Sequence, residues 1–237
     1  MYSFETTVRY SEVDKDKRLS ALALVDYFQD CSSFHSDELG VGFDALQEAK
    51  KGWVISYWQI VINDMPEYLD KVKVGTFPYE FDTFYGYRNF ILEKEDGTVA
   101  ASANSIWVFI DTNSLRPTRM NDVFRNAYTL EARYDKMDYE DRKITLPEQM
   151  EPRESFVVKK YNLDTNYHVN NGQYIQMAQE YLPEDFVIGQ IRAVYKHSAV
   201  FGDVVYPYVQ SVEGNRFAVD LRNDSGATFA IVEFTRK

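Results

Sequence analysis

The chain has 237 residues, 45% of them hydrophobic and 16% aromatic, enough to bury one large core or two small ones. A net charge of −11 argues against a nucleic-acid groove, which needs dense Lys and Arg, and no run is apolar enough to cross a bilayer, so neither nucleic acid nor membrane is expected as a partner. The single cysteine, Cys31, rules out an internal disulfide and a cysteine-built zinc site, and with a start, MYSFETTVRYSEVD, that lacks signal-peptide character it makes a cytoplasmic protein the expectation.

The first clear element is a helix in LSALALVDYFQDCSSFHSDELG, where Leu24, Phe28 and Cys31 recur at helical spacing with Val25 beside them, and Gly40 is placed to stop it. Four strand-like segments follow, WVISYWQIVIN from Trp53, KVKVGTFPYEF, YRNFILEKE and TVAASANSIWVFID, rich in β-branched and aromatic residues. Glu95-Asp96-Gly97 has the turn chemistry of a hairpin, so this sheet is expected to be antiparallel. Residues 112–152 are polar and irregular and read as a long connection, with one short helix around Asp122 to Leu130. The order then replays: RESFVVKK as a short strand, a helix from about Asn170 to Tyr181, and GQIRAVYKHSAV, DVVYPYVQSV, NRFAVDLRN and ATFAIVEFTRK as strands.

The replay extends to residues. VDKDKRLS from Val13 aligns with LDTNYHVN from Leu163, setting Asp14 against Asp164, Asp16 against Asn166 and Arg18 against His168. FILEKEDGTVAASANSIWVF likewise matches FAVDLRNDSGATFAIVEF, with Gly97 and Gly226 in equivalent hairpins. The expected fold class is α+β: a tandem, or double, hot-dog of two antiparallel sheets, each wrapping a long central helix. The boundary is set near residue 140, giving an N-terminal unit over 1–140 that includes the linker and a C-terminal unit over 141–237.

The chemistry concentrates in YNLDTNYHVNNGQYIQMAQEYL. Asp164, Asn166 and His168 alternate, so in an extended stretch they would converge on one side. Asn170 and Gln173 fit a capping box, and the first helical amides, at Asn170, Asn171 and Gly172, could hold an oxygen on which negative charge develops. Acyl transfer needs such donors and a carboxylate or imidazole to activate water or attack the carbonyl. Asp and Asn also make turns by bonding to the loop backbone, and this bland alternative stays open. It is weakened by the first copy, which builds the corresponding turn with Asp16 and Arg18 in place of Asn and His. His35 and His197 have no metal-ligand spacing to His168 or to acidic neighbours, so no metal is expected, and no cofactor. Glu180 is read as a solvated helix-end charge.

LDTNYHVNNGQY closely resembles the signature stretch of the acyl-acyl carrier protein thioesterases of plants and bacteria, and GWVISYWQIVIN and YGYRNFILEKEDGTVAASANSIWVFID resemble that family's first half. The resemblance implies hydrolysis of acyl-acyl carrier protein thioesters, with Asp164, Asn166 and His168 at the catalytic positions. Family members typically carry Glu, often followed by Cys, where this chain has Ser198 and Ala199; Ser198 is then an auxiliary residue that positions water, or the register is shifted by a few residues. The first half is left to line the acyl pocket with Leu22, Val25, Phe28 and Cys31. The partner implied is an acyl carrier protein bearing an acyl-phosphopantetheine thioester; being acidic, it needs a basic patch, for which Lys159, Lys160, Arg192 and Lys196 are the candidates. A 3-hydroxyacyl thioester dehydratase and a non-catalytic acyl-binding module are the alternatives. A homodimer stays open.

Overall fold

A computed structural model describes all 237 residues, Met1–Lys237. The chain divides into two compact units, one of Met1–Ser56 with Ile60–Tyr139, the other of Tyr57–Gln59 with Glu140–Lys237.

In the first unit, strand β1 (Tyr2–Thr7) precedes helices α1 (Ala21–Glu38) and α2 (Phe43–Glu48), and strands β2 (Lys51–Ile62), β3 (Lys71–Phe81), β4 (Tyr85–Lys94) and β5 (Val99–Asp111) follow. The short β6 (Arg116–Pro117) pairs with β5, and α3 covers Asp122–Ala127. The sheet order is β1-β3-β4-β5-β2, with β1, β3, β4 and β5 paired antiparallel. Helix α1 starts at Ser20, whose hydroxyl accepts from the Ala23 N–H. It ends where Gly40 turns left-handed (φ +71) and Val41 N–H reaches back to Ser36 O, the Schellman closure that glycine permits without strain. Its apolar face packs on β3 and β1, with Cys31 Sγ donating to Val74 O on β3, and the Phe28 ring lies 5.2 Å from Phe90 on β4. A second cluster gathers Val41, Phe109, Met120, Phe124 and Tyr128, so the connection after β5 is partly core. Further along, Tyr134 N–H and Tyr139 O–H both donate to buried Asn89 Oδ1 on β4, fastening the connection to the sheet.

The second unit has two-residue strands β7 (Glu151–Pro152) and β8 (Phe156–Val157), helix α4 (Asn171–Gln179), then β9 (Ile188–Tyr195), β10 (Val204–Val212), β11 (Arg216–Arg222) and β12 (Thr228–Arg236). The order is β9-β12-β11-β10-β7, antiparallel, with β8 also on β10, and α4 packs on β11 and β12. The two long hairpins are built alike: Gly97 and Gly226 both sit at φ +82, each donating to the residue three before it, Lys94 and Asn223.

Two expectations change. The second helix has nine residues, half the length of α1, because Pro183 cannot continue it and Tyr181 and Leu182 close tight turns onto Ala178 and Gln179. Strand β9 stops at Tyr195, so Ser198 lies outside it in the following connection.

Candidate active site

Asp164, Asn166 and His168 do not lie on an extended strand. The chain reverses through Tyr167 (φ +62), which is 78% exposed. Asp164 N–H donates to His168 O at 2.7 Å and Tyr167 N–H to Asp164 O at 3.1 Å. The Asp164 carboxylate holds the turn from inside: its Oδ1 accepts from Asn166 N–H (2.8 Å) and His168 N–H (3.2 Å). The first copy is the same turn, with Asp14 Oδ1 accepting from Asp16 N–H (2.9 Å) and Arg18 N–H (3.1 Å) and Lys17 at φ +61. One oxygen of each aspartate is therefore structural.

The copies part at the remaining groups. In the first, Arg18 is drawn to Asp64 (3.4 Å) and Glu67 (3.8 Å), and Asp16 lies 3.8 Å from the Lys15 ammonium. In the second, Asp164 Oδ2, the Asn166 amide and the His168 imidazole take no hydrogen bond within the chain. A pinned backbone thus presents a carboxylate oxygen, an amide and an imidazole that the fold does not consume.

The turn is tied to its neighbours. Val169 N–H donates to Ala199 O (2.9 Å) and His168 bridges to Val200, which brings the Ser198–Val200 segment alongside the turn. Ser198 is exposed there. Ala199 N–H donates to the Tyr174 hydroxyl at 2.8 Å. Burial, then the charges of Asp203 and Asp164, push that phenol up to about 12, so it stays protonated and keeps its proton for a second partner. Asp203 Oδ2 in turn accepts from Val200 N–H at 2.9 Å.

The capping box is not formed. Asn170 caps α4 with its own side chain, Oδ1 accepting from Gly172 N–H at 2.8 Å, and Gln173 N–H donates to Asn170 O. The Gln173 side chain instead accepts from buried Asn162 Nδ2 (2.8 Å), and Asn170 N–H goes to Asn162 O. Of the expected oxyanion donors, Gly172 N–H and Asn170 N–H are therefore occupied, and only Asn171 N–H remains without an acceptor. The Asn171 carbonyl is fixed by the Tyr195 hydroxyl at 3.0 Å. Asn162 went unrecognised in the sequence, although the 150-residue offset pairs it with Glu12, which binds Arg9 N–H and the Tyr27 hydroxyl at the same place in the first copy.

Other candidates are redistributed. Lys159, Lys160 and Lys196 are exposed, and Lys160 Nζ stands 5.6 Å from the exposed Phe201 ring. Arg192 is not available for docking: it is 4% exposed, its Nε and Nη2 both donate to Glu233 Oε1 (3.0 and 2.7 Å), and its Nη1 donates to Asp141 O. As a strand residue facing the interior it needs a buried counter-charge, which Glu233 supplies from the adjacent strand. Leu22 is half-buried, while Val25, Phe28 and Cys31 have no exposed surface; they form closed core rather than an open channel. No three His, Cys, Asp or Glu side chains gather where they could hold a metal, and no helix is long and apolar enough to cross a membrane.

Two family models match this chain, the acyl-ACP thioesterase N-terminal domain over residues 1–128 and the acyl-ACP thioesterase C-terminal domain over residues 146–234. The chain belongs to the acyl-ACP thioesterase family. Among similar thioesterases, the chloroplastic palmitoyl-acyl carrier protein thioesterase of Cuphea hookeriana is 24% identical over 193 residues, 76% of this chain and 46% of that protein. The chloroplastic oleoyl-acyl carrier protein thioesterase 1 of Arabidopsis thaliana is 24% identical over 202 residues, 78% of this chain and 56% of that one. The chain spans about half the length of these relatives. Among solved thioesterases, an acyl-ACP thioesterase from Bacteroides thetaiotaomicron superposes with a TM-score of 0.88 at 23% identity, covering 99% of this chain and 97% of the other. The 12:0-ACP thioesterase from Umbellularia californica gives 0.86 at 18% identity, covering 100% and 96%. These likenesses establish the hot-dog fold for the chain.

Proposed function

We propose that this protein hydrolyses acyl-acyl carrier protein thioesters, releasing a fatty acid and the carrier's thiol in the cytoplasm. One observation carries the reading: the same aspartate-pinned turn occurs twice, each with one carboxylate oxygen spent on the backbone, and where the first copy adds Asp16 and an Arg18 paired with Asp64 and Glu67, the second sets an amide and an imidazole that bond to nothing in the chain. A turn kept solely for shape would have no use for Asn166 and His168, since the first copy folds with Asp16 and Arg18.

In this mechanism Asp164 acts through Oδ2, either taking a proton from water or attacking the thioester carbonyl itself. His168 and Asn166 orient the water or the phosphopantetheine arm. Asn171 N–H, at the positive end of α4, receives the carbonyl oxygen as charge develops on it. Ser198, exposed beside the turn, positions water. Water adds to the acyl carbon, the C–S bond breaks, and the sulfur leaves as a thiolate that takes up a proton. Lys159, Lys160 and Lys196 attract the acidic carrier, with Phe201 beside Lys160 adding apolar contact.

The test is incubation of the purified protein with an acyl-acyl carrier protein and a thiol reagent. Free thiol with free fatty acid supports hydrolysis; loss of water without thiol indicates a dehydratase, and saturable binding without turnover a carrier module. Asp164→Asn retains the turn's acceptor, so turnover is expected to drop by roughly 10²-fold or more with the melting temperature nearly unchanged. Asp14→Asn makes the same change in the other copy and is expected to leave turnover intact. Parent-level hydrolysis by Asp164→Asn sinks the assignment.

A further inference from the structure

Four charged side chains are buried in this protein: Arg88, Arg192, Asp220 and Glu233. Three have opposite charges in contact, Arg192 with Glu233 (2.7 Å) and Asp220 with Arg222 (2.6 Å). Arg88, on β4 and 7% exposed, has none. Its Nη1 donates to His35 Nδ1 (3.1 Å) and to Thr76 Oγ1 (3.2 Å), its Cζ lies 5.4 Å from the Tyr128 ring centre, and its Nε and Nη2 donate to nothing in the chain.

Every partner of this guanidinium is neutral. Arginine only donates, so His35 Nδ1 must accept and its proton sits on Nε2. Burial first, and the Arg88 charge next, push His35 down to about 4, which keeps the imidazole uncharged near neutrality. An unpaired buried cation costs several kcal/mol, and the fold spends this without an internal counter-ion. The unused Nε and Nη2 are the two parallel donors that match a carboxylate. Apolar side chains stand nearby: Phe90, two residues on along the same strand face, packs on Phe28, and Tyr128, whose ring centre is 5.4 Å from Arg88 Cζ, belongs to the cluster with Phe109 and Phe124.

We infer that Arg88, with Thr76 and His35, forms an anion subsite in the first unit that takes the carboxylate of an aliphatic acid. A carboxylate fits better than a phosphate, because one guanidinium supplies a single charge and neither neighbouring acceptor supplies another. The carboxylate has two sources, a free fatty acid or the far end of a dicarboxylic acyl group. Only the second rests on the hydrolase reading.

Equilibrium binding, measured without turnover, tests the subsite. Octanoate, octan-1-ol and inorganic phosphate are titrated calorimetrically into the parent, Arg88→Met and Arg88→Lys. Octanoate is expected to bind the parent at least about tenfold tighter than octan-1-ol, with phosphate not binding, and Arg88→Met to bind the acid and the alcohol alike. Equal affinity for acid and alcohol in the parent, or a preference surviving in Arg88→Met, overturns the inference. Should Arg88→Met fail to fold, Arg88→Lys keeps the charge without the fork and must lose most of the preference; full preference there also overturns it. The N-acetylcysteamine monothioesters of decanedioic and decanoic acid then separate the sources. A higher kcat/KM for the decanedioyl ester, lost in Arg88→Met, assigns the acyl group, and equal rates with octanoate binding intact assign the free acid. Binding of octanoate by a protein that hydrolyses neither ester retains the subsite and refutes the hydrolase.

Discussion

Arg192 and Glu233 provide a quantitative test of how the second unit is held together. Both are nearly fully buried, with two guanidinium nitrogens on one carboxylate oxygen at 3.0 and 2.7 Å. Removing one partner strands the other away from water, which costs about 3–5 kcal/mol for a buried pair. Glu140 lies 3.2 Å from Arg192 and is partly exposed, so Glu233→Leu leaves the arginine some compensation and is expected at the lower end of that range. Arg192→Met leaves Glu233 with Arg216 at 3.7 Å, a weaker substitute, and is expected at the upper end. At about 2–4 °C per kcal/mol for a protein of this size, the single variants should melt roughly 6–20 °C below the parent. The double variant replaces both charges by apolar groups and should recover most of the loss, because the desolvation penalty disappears along with the attraction. Thermal and urea unfolding of the four proteins gives the coupling energy directly. Additive losses would refute the reasoning. So would an Arg192→Met protein that melts like the parent and binds the carrier less well, since that would return Arg192 to the docking surface.

Two further predictions concern charge. Lys159→Glu with Lys160→Glu should raise KM for acyl-acyl carrier protein severalfold and flatten its salt dependence, with hydrolysis of a small acyl thioester unchanged; an equal loss on both substrates places these lysines in the reaction rather than in docking. His35 is held neutral with a folded value near 4 against an ordinary 6.5, so between these limits the unfolded chain binds the extra proton and stability rises with pH. Acidification from pH 7 to 4 should therefore cost about 1–2 kcal/mol through His35, after allowance for solvent screening. Asp26, raised by burial and then by Asp30 and Glu12 to about 6, works in the opposite sense, so the difference between the parent and His35→Gln in urea unfolding isolates the histidine; no difference across that range removes it from the account.

Elements with a strong local signal were legible. The strands after Trp53, the glycine turns at Gly97 and Gly226 and the α1 stripe follow from period, β-branching and turn chemistry. The duplicated turn was found as a spacing but mistaken in shape: an aspartate followed by amides two and four residues on suits both an alternating strand and a side-chain-closed turn, and Tyr167 at φ +62 selects the turn. What depended on distant partners was hidden. Arg192 reads as a cation of the docking patch until Glu233, 41 residues later, is placed across from it. Asn89 likewise owes its burial to distant partners, since the Tyr134 N–H and the Tyr139 O–H both donate to its side-chain oxygen. The cap at Asn170 holds as expected, but the reciprocal half of the capping box does not form because Gln173 has a better partner in Asn162, which no rule confined to the helix could supply.

The same comparison of copies explains why chemistry is proposed for one of them alone. At the entrance to α1 the polar groups are charged and answer one another: Glu12 holds the Arg9 amide and the Tyr27 hydroxyl, and Arg18 leans on Asp64 and Glu67. At the entrance to α4 the equivalent structural work is done by neutral amides, Asn162 with Gln173 and Asn170 with Gly172. A neutral scaffold satisfies the backbone without introducing a cation or carboxylate that would pair with the side chains of the turn. Asp164 Oδ2 and the His168 imidazole keep no internal counter-charge because the residues that shape this entrance bond through amides, Asn162 to the Lys159 N–H and to Gln173, and Asn170 to the Gly172 N–H.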